Sequence, residues 1–217
     1  LDTLQEALGR LALSGYRIGQ TPREQSGIQA VKFQVSVHEP QGERSFRSIA
    51  ALIQDSRLAA QIKDTAIRIF TVLAEAEGQV HGVAPEDVHF HEVGAVDSII
   101  DIIGTAVCLD ALGVEQVYVS ALPLGSGMVP SRHGILPVPG PATVELLKGF
   151  PVRFADGDGE LVTPTGAAIL AALAQPTTVP AMQIDAVGYG AGERTLADRP
   201  NVLRVLIGHT QGVLQMD

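Results

Sequence analysis

The chain has 217 residues, 46% of them hydrophobic and 18% charged, with a net charge of −9, which is enough to bury a core as one large or two small domains. No run approaches the ~18 consecutive apolar residues of a membrane-spanning helix, the first residues lack a signal-peptide pattern, and no Lys/Arg cluster offers the contacts that nucleic-acid phosphates need. Cys108 is the only cysteine, which excludes an internal disulfide and a cysteine-based zinc site and fits a reducing compartment.

In chain order, Leu1, Leu4, Leu8 and Leu11 recur at helical spacing, and the helix is expected to stop near Ser14-Gly15. The chain begins inside this pattern without a methionine and stops soon after a plausible strand at 201–207, so it reads as part of something longer. "IQAVKFQVSVHE" alternates, with Val31, Phe33, Val35 and Val37 on one face, and predicts a half-buried strand ended by Pro40-Gln41-Gly42. A helix over 45–54 and a longer one, capped by Ser56 and running to Gly78, make residues 43–80 a helical layer.

Residues 94–112 carry Val96, Ile99, Ile100, Ile102, Ile103, Val107 and Leu109, apolar on most sides, before Gly113. Such a helix belongs in the interior. "VEQVYVSALPLGSG" then predicts a strand and a glycine loop; the prolines of "HGILPVPGPATVELLKGF" hold an extended segment before a short helix at 142–147. "PVRFA" is a strand, 156–159 a turn, and "ELVTPTGAAILAALA" a strand, a turn and a helix. "AMQIDAVGYGAGERTLADRPNVLRVLIG" reads as strand, glycine-rich turn, loop, strand. The alternation implies a mixed α/β (α+β) fold, a sheet with packed helices around one nearly fully buried helix, forming one compact unit over 1–217.

Ligand-bearing residues concentrate in "DVHFHEVGAVDSIIDI", residues 87–102. In extended backbone His89 and His91 point the same way, and Glu92 could add an oxygen, a donor set suited to Ni²⁺, Zn²⁺ or Co²⁺. Asp97 and Asp101, four apart, share one helix face with Thr105 and Cys108; in the poorly hydrated interior expected for this helix, the two charges need a cation, helix-end amides, an arginine or a shared proton. Helix capping accounts for Asp97 but not for Asp101, a turn further in. His133, in a Pro/Gly-bounded loop, is a solvated or backbone-bonded residue, or else a third imidazole or a proton carrier. His38, His81 and His209 read as structural, and Cys108 as core packing. The Thr-Pro-Thr-Gly turn is either a cap made by Thr165 or an anion cradle at a helix N-terminus. "GYGAGE" lacks the following helix that a dinucleotide site requires, so a hairpin or bulge is expected there.

Taken together, "VHFHEVGAVDSIIDIIG", "LPLGSGMVPSRHGILPVPGPATVELLKG", "GELVTPTGAAIL" and "GYGAGERTLADRPNVLRV" resemble the LarC family over nearly the whole chain. That resemblance implies a cytoplasmic nickel-inserting lyase or metallochelatase. Its substrate would be pyridinium-3,5-bisthiocarboxylic acid mononucleotide, converted to the nickel-pincer cofactor with CTP and Mg or Mn. The matching positions are His89, His91, Glu92, Asp97 and Asp101, then Gly125, Ser126, Gly127 and His133, then Thr163, Thr165 and Gly166.

We assign nickel capture to His89, His91 and Glu92, and charge balance or proton acceptance to Asp97 and Asp101. Proton removal falls to His133, and phosphate binding to the glycine loop and the Thr-Pro-Thr-Gly turn. Three features depart from the family pattern: its glycine-rich, aspartate-containing segment is expected ahead of Leu1, "SVHEPQGERSF" keeps only His38 of a histidine-rich stretch, and the CTP-binding domain is expected beyond Asp217. A homo-oligomer and a lactate racemase-like acceptor of the product fit the resemblance. Two alternatives stay open: a nickel storage or delivery module without catalysis, and a non-metal scaffold whose acidic helix is neutralised by Arg132, Arg153 or Arg194.

Overall fold

The computed structural model describes residues 1–39, 42, 44–90, 95–154, 159–176 and 179–210. The chain folds as two compact units where the sequence suggests one, the first formed by Leu1–Tyr16 and Val37–Thr177, the second by Arg17–Ser36 and Thr178–Asp217. Along the chain lie helix α1 (Asp2–Leu8), strands β1 (Tyr16–Gln25), β2 (Ile28–Val37) and β3 (Arg44–Ser45), then helices α2 (Phe46–Gln54) and α3 (Ala60–His81). Strand β4 (His89–Phe90) leads to helix α4 (Val96–Ala111) and strands β5 (Val117–Tyr118), β6 (Leu122–Leu124), β7 (Met128–Ser131) and β8 (Gly134–Pro137). Helix α5 (Pro141–Leu146), strand β9 (Val152–Phe154), helix α6 (Pro164–Leu173) and strands β10 (Ala174–Gln175), β11 (Met182–Ala191) and β12 (Val202–Thr210) complete the order. The mixed α/β class is as the alternation implies.

Helix α3 is the hub of the first unit, packed against α2, α4, α5 and α6. Its Ile69, Phe70, Leu73 and Ala74 are fully buried, and the Phe70 ring lies 6.2 Å from that of Phe90, a normal tilted aromatic contact. The helix neither starts nor stops where its sequence suggests. Ser56 does not cap it: its hydroxyl donates to the Ile53 carbonyl and accepts from the Leu58 amide, closing the turn after α2. Gly78 does not end it, because a Cβ there would lie 2.8 Å from the Val83 carbonyl oxygen; the glycine admits the returning chain. The stop is Gly82, in the left-handed conformation at φ 68°.

Helix α4 buries Val96, Ile99, Ile100, Ile102, Ile103, Gly104, Ala106 and Val107. Gly104 lets Leu4 of α1 approach to 3.4 Å of where a Cβ would sit. The rest of its circumference is an exposed stripe, Asp97, Asp101 and Cys108, with Thr105 half-buried. The interior placement of the two aspartates and the packing role of Cys108 are therefore corrected: the helix is buried around them, and they face outward. Helix α1 ends at Leu8 rather than near Gly15.

In the second unit the sheet order is β1-β2-β11-β12. Strand β1 is not legible in the sequence because Pro22 and five charged or amide residues interrupt its alternation. It is joined to β2 by Ser26-Gly27, both at positive φ, the geometry that matches strand twist in a two-residue hairpin. β11 runs parallel to β2 at Gly190↔Val31 and antiparallel to β12 from Met182↔Thr210 to Ala191↔Val202, with a register shift between Ile184 and Ala186. The glycines of "GYGAGE" thus lie largely within a strand and not in a turn. Lys32 meets Glu193 at 2.9 Å and holds its carboxyl below the usual range.

Candidate functional site

The two parallel strands β6 and β9 pair from Leu122↔Val152 to Leu124↔Phe154. Beyond the carboxyl end of β6 the chain enters Gly125-Ser126-Gly127; beyond that of β9 it leads to α6. In parallel sheets this end is where ligands collect. The two connections touch: a Cβ on Gly125 would fall 1.5 Å from the Gly159 carbonyl oxygen and 3.4 Å from Leu161 Cγ. Only glycine fits, so the glycine loop and the segment leading into α6 are in backbone contact. Gly127, at φ 109°, turns the chain into β7, and its carbonyl accepts from the Val138 amide at 2.9 Å.

At the start of α6 the cap is Thr163 and not Thr165. The Thr163 hydroxyl accepts from the Gly166 amide at 3.2 Å, and its carbonyl from Ala167 at 2.8 Å. Pro164 follows at the first helical position, where the lost N–H costs nothing. Thr165, half-buried, is left in the first turn with its hydroxyl and an amide that no intrahelical carbonyl reaches. Of the sequence-predicted phosphate residues, the structure therefore brings Gly125, Ser126 and Gly127 to the approach of Thr163, Thr165 and Gly166.

His89 is exposed on β4, opposite Ser45 of β3, while the adjacent Phe90 turns into the core. His91 and Glu92 lie outside the described residues. Asp97 Oδ1 accepts from the Ser98 amide at 2.8 Å in the first turn of α4, and the Thr105 hydroxyl donates to the Asp101 carbonyl at 2.7 Å. Among the described residues no group of three or more His, Cys, Asp or Glu is arranged to hold a metal ion.

His133 is exposed in the turn of the β7–β8 hairpin. Its amide donates to Ser131 Oγ at 3.1 Å, and that hydroxyl donates to the Gly134 carbonyl at 2.9 Å. The hairpin is in register from Met128↔Pro137 to Ser131↔Gly134, so its tip stands roughly 10 Å beyond the glycine loop. There the His133 ring meets a residue that its sequence context marks only as structural: His81, in the last turn of α3, at a centroid separation of 4.9 Å. His81 Nε2 in turn lies 3.2 Å from Glu77 Oε2. The available signal is the i, i+4 spacing of Glu77 and His81, hidden because Gly78 suggests a helix end between them.

The fold and these loops define an α/β protein whose candidate site gathers at the ends of parallel strands, with imidazole and carboxylate groups on the first unit. The nickel insertion protein family matches over residues 1–217, and the chain belongs to that family. Three relatives carry names that refer to nickel insertion. The protein of Geotalea daltonii is 54% identical over 220 residues, covering 100% of this chain. That of Geobacter sulfurreducens is 52% identical over 219 residues, again 100% of the chain. That of Syntrophobacter fumaroxidans is 48% identical over 209 residues, 96% of the chain. The chain spans 56%, 56% and 54% of their respective lengths. No solved structure matches the chain.

Proposed function

We propose that this chain forms part of an enzyme that inserts nickel into pyridinium-3,5-bisthiocarboxylic acid mononucleotide, with the metal ion as a substrate. Family membership over its whole length is the observation that carries the reading. Replacing a pyridinium C–H by a nickel–carbon bond releases one proton, and the thiocarboxylates supply the nickel–sulfur bonds, so a base is required. His133 takes that role. His89, His91 and Glu92 capture the incoming ion, and the carboxylates of Asp97 and Asp101 balance its charge or accept protons. The contact of the glycine loop with the approach to α6 supports a phosphate seat, where the hydroxyl and the amide of Thr165 face an anion.

CTP with Mg or Mn enters the same proposal as a requirement of the longer protein. The described residues offer no three-ligand metal group. The enzyme is a cytoplasmic lyase-type metallochelatase in this reading, with a lactate racemase-like protein as recipient of the product.

The test uses a protein of the relatives' full length, incubated with the mononucleotide, Ni²⁺ and Mg-CTP, with the product read by mass spectrometry. Nickel insertion should fall about 100-fold in His133→Ala, the range expected for loss of a general base. Calorimetric nickel binding above about pH 7, where imidazole is neutral, should be lost in the His89→Ala, His91→Ala double variant. Undiminished binding in that variant removes the capture assignment. Nickel binding without turnover converts the reading to a delivery module.

A further inference from the structure

We propose that His81 is a positioning residue for His133, held in its turn by Glu77; the inference rests on the reading of His133 as the proton acceptor. The Ser131 and Gly134 bonds fix the backbone of the hairpin tip, but the direction of an imidazole also depends on two side-chain torsions, which only contacts of the ring can select. The His81 ring supplies such a contact. At 4.9 Å between centroids and 41° between planes, the two rings are in the range of packed aromatic pairs, so many rotamers of His133 collide with His81.

His81 can serve as such a stop because it is itself restrained at both ends. Its backbone belongs to the last turn of the 22-residue helix α3, the hub of its unit. Its Nε2 is 3.2 Å from the Glu77 carboxylate one turn earlier, and the two side chains are only 30% and 18% exposed. A carboxylate acceptor at this nitrogen places the ring proton on Nε2 and sets the ring plane. Gly78 and Gly82 complete the arrangement. The first admits the Val83 carbonyl beside the helix, and the second stops α3 one residue after His81. The order is a restrained carboxylate, a restrained imidazole, and an exposed imidazole oriented by the second.

The test compares wild type with His81→Ala, His81→Phe and Glu77→Gln by long-range ¹H–¹⁵N correlation of histidine rings, His133 signals being assigned with His133→Asn. Alanine is a good helix former, and retained helical circular dichroism checks the fold in each variant. In His81→Ala the His133 ring resonances should move to those of a freely rotating histidine, and turnover of the full-length enzyme should fall about 10-fold in kcat with KM unchanged. His81→Phe, which keeps a ring at the contact, should restore most of both. Unchanged His133 ring resonances in His81→Ala overturn the inference. If they are unchanged while His133→Ala still abolishes insertion, only the role of His81 is lost. If His133→Ala inserts nickel at the wild-type rate, the reading of His133 falls and the positioning role falls with it.

Discussion

At the scale of single residues, solvent exposure and chemical reactivity separate at Cys108. Its position on the outward stripe of α4 exposes it, yet partial burial against the helix surface pushes its thiol above the usual range. Only the thiolate is a nucleophile. Raising the pKa of an acid enlarges its protonated fraction at a given pH, so Cys108 should react with iodoacetamide at pH 7.5 several-fold more slowly than a free cysteine. The rate should climb toward the free-cysteine value as pH rises above about 9. Mass-spectrometric labelling rates at several pH values decide it, and labelling as fast as glutathione at pH 7.5 contradicts the placement. The same stripe explains why the sequence misleads about the aspartates. Apolar residues surround Asp97 and Asp101 in sequence, and a sequence gives the width of a helix's polar stripe only through the pattern of its neighbours. Here, short of the exposed Asp110 and Ala111 at its end, the helix shows solvent little more than that narrow strip.

At the scale of elements, helices α2, α4, α5 and α6 are legible because each has an apolar periodicity, and three of them add a terminal signal. Ser45 caps α2 by accepting from the Ser48 amide, Pro141 opens α5, and Thr163 and Pro164 open α6. What fails is punctuation by glycine. Gly78 suggests a stop and proves to be a close approach of backbone to helix, and Gly188 and Gly190 suggest a turn and prove to be strand residues. A glycine's role depends on what lies beside it, which the local string does not contain. Likewise the two loops of the candidate site are each visible in the sequence, but their contact is not. That contact gives a prediction: Gly125→Ala puts a methyl group 1.5 Å from a backbone carbonyl, a clash that no side-chain rotation relieves. The variant should lose at least ~3 kcal/mol of stability by urea unfolding, the upper part of the usual overpacking range. Thr163→Ala should lose only about 1 kcal/mol, as for other threonine caps. A Gly125→Ala variant as stable as wild type contradicts the packing of the glycine loop on Gly159.

At the scale of the molecule, the apolar burial is divided unequally between the two units. The fully buried large side chains, among them Phe70, Phe90, Leu73, Ile99 and Ile103, all belong to the first unit, whereas in the second only Ala30 is a buried apolar residue among those described. Its sheet instead leaves Val31 at 47%, Leu203 at 70% and Val205 at 47% exposure. Val31, Gly190 and Leu203 are neighbours across three strands, so the exposed side chains share a face with a residue that has none. Cross-strand hydrogen bonds contribute little net stability without burial beneath them, and opening free energy follows local apolar contact. Amides of β11 and β12 should therefore exchange with protection factors roughly 100-fold below those of the middle of α3 and α4. A second variant sharpens the point. Ile100→Ala, in the fully buried side of α4, should cost about 2–5 kcal/mol and lower protection throughout the first unit while leaving β11 and β12 unchanged, because their opening does not require that core to unfold. Native-state hydrogen exchange by NMR reads both effects. Equal protection in the two units, or a parallel loss in β11 and β12 on Ile100→Ala, requires instead that the chain open as one cooperative body.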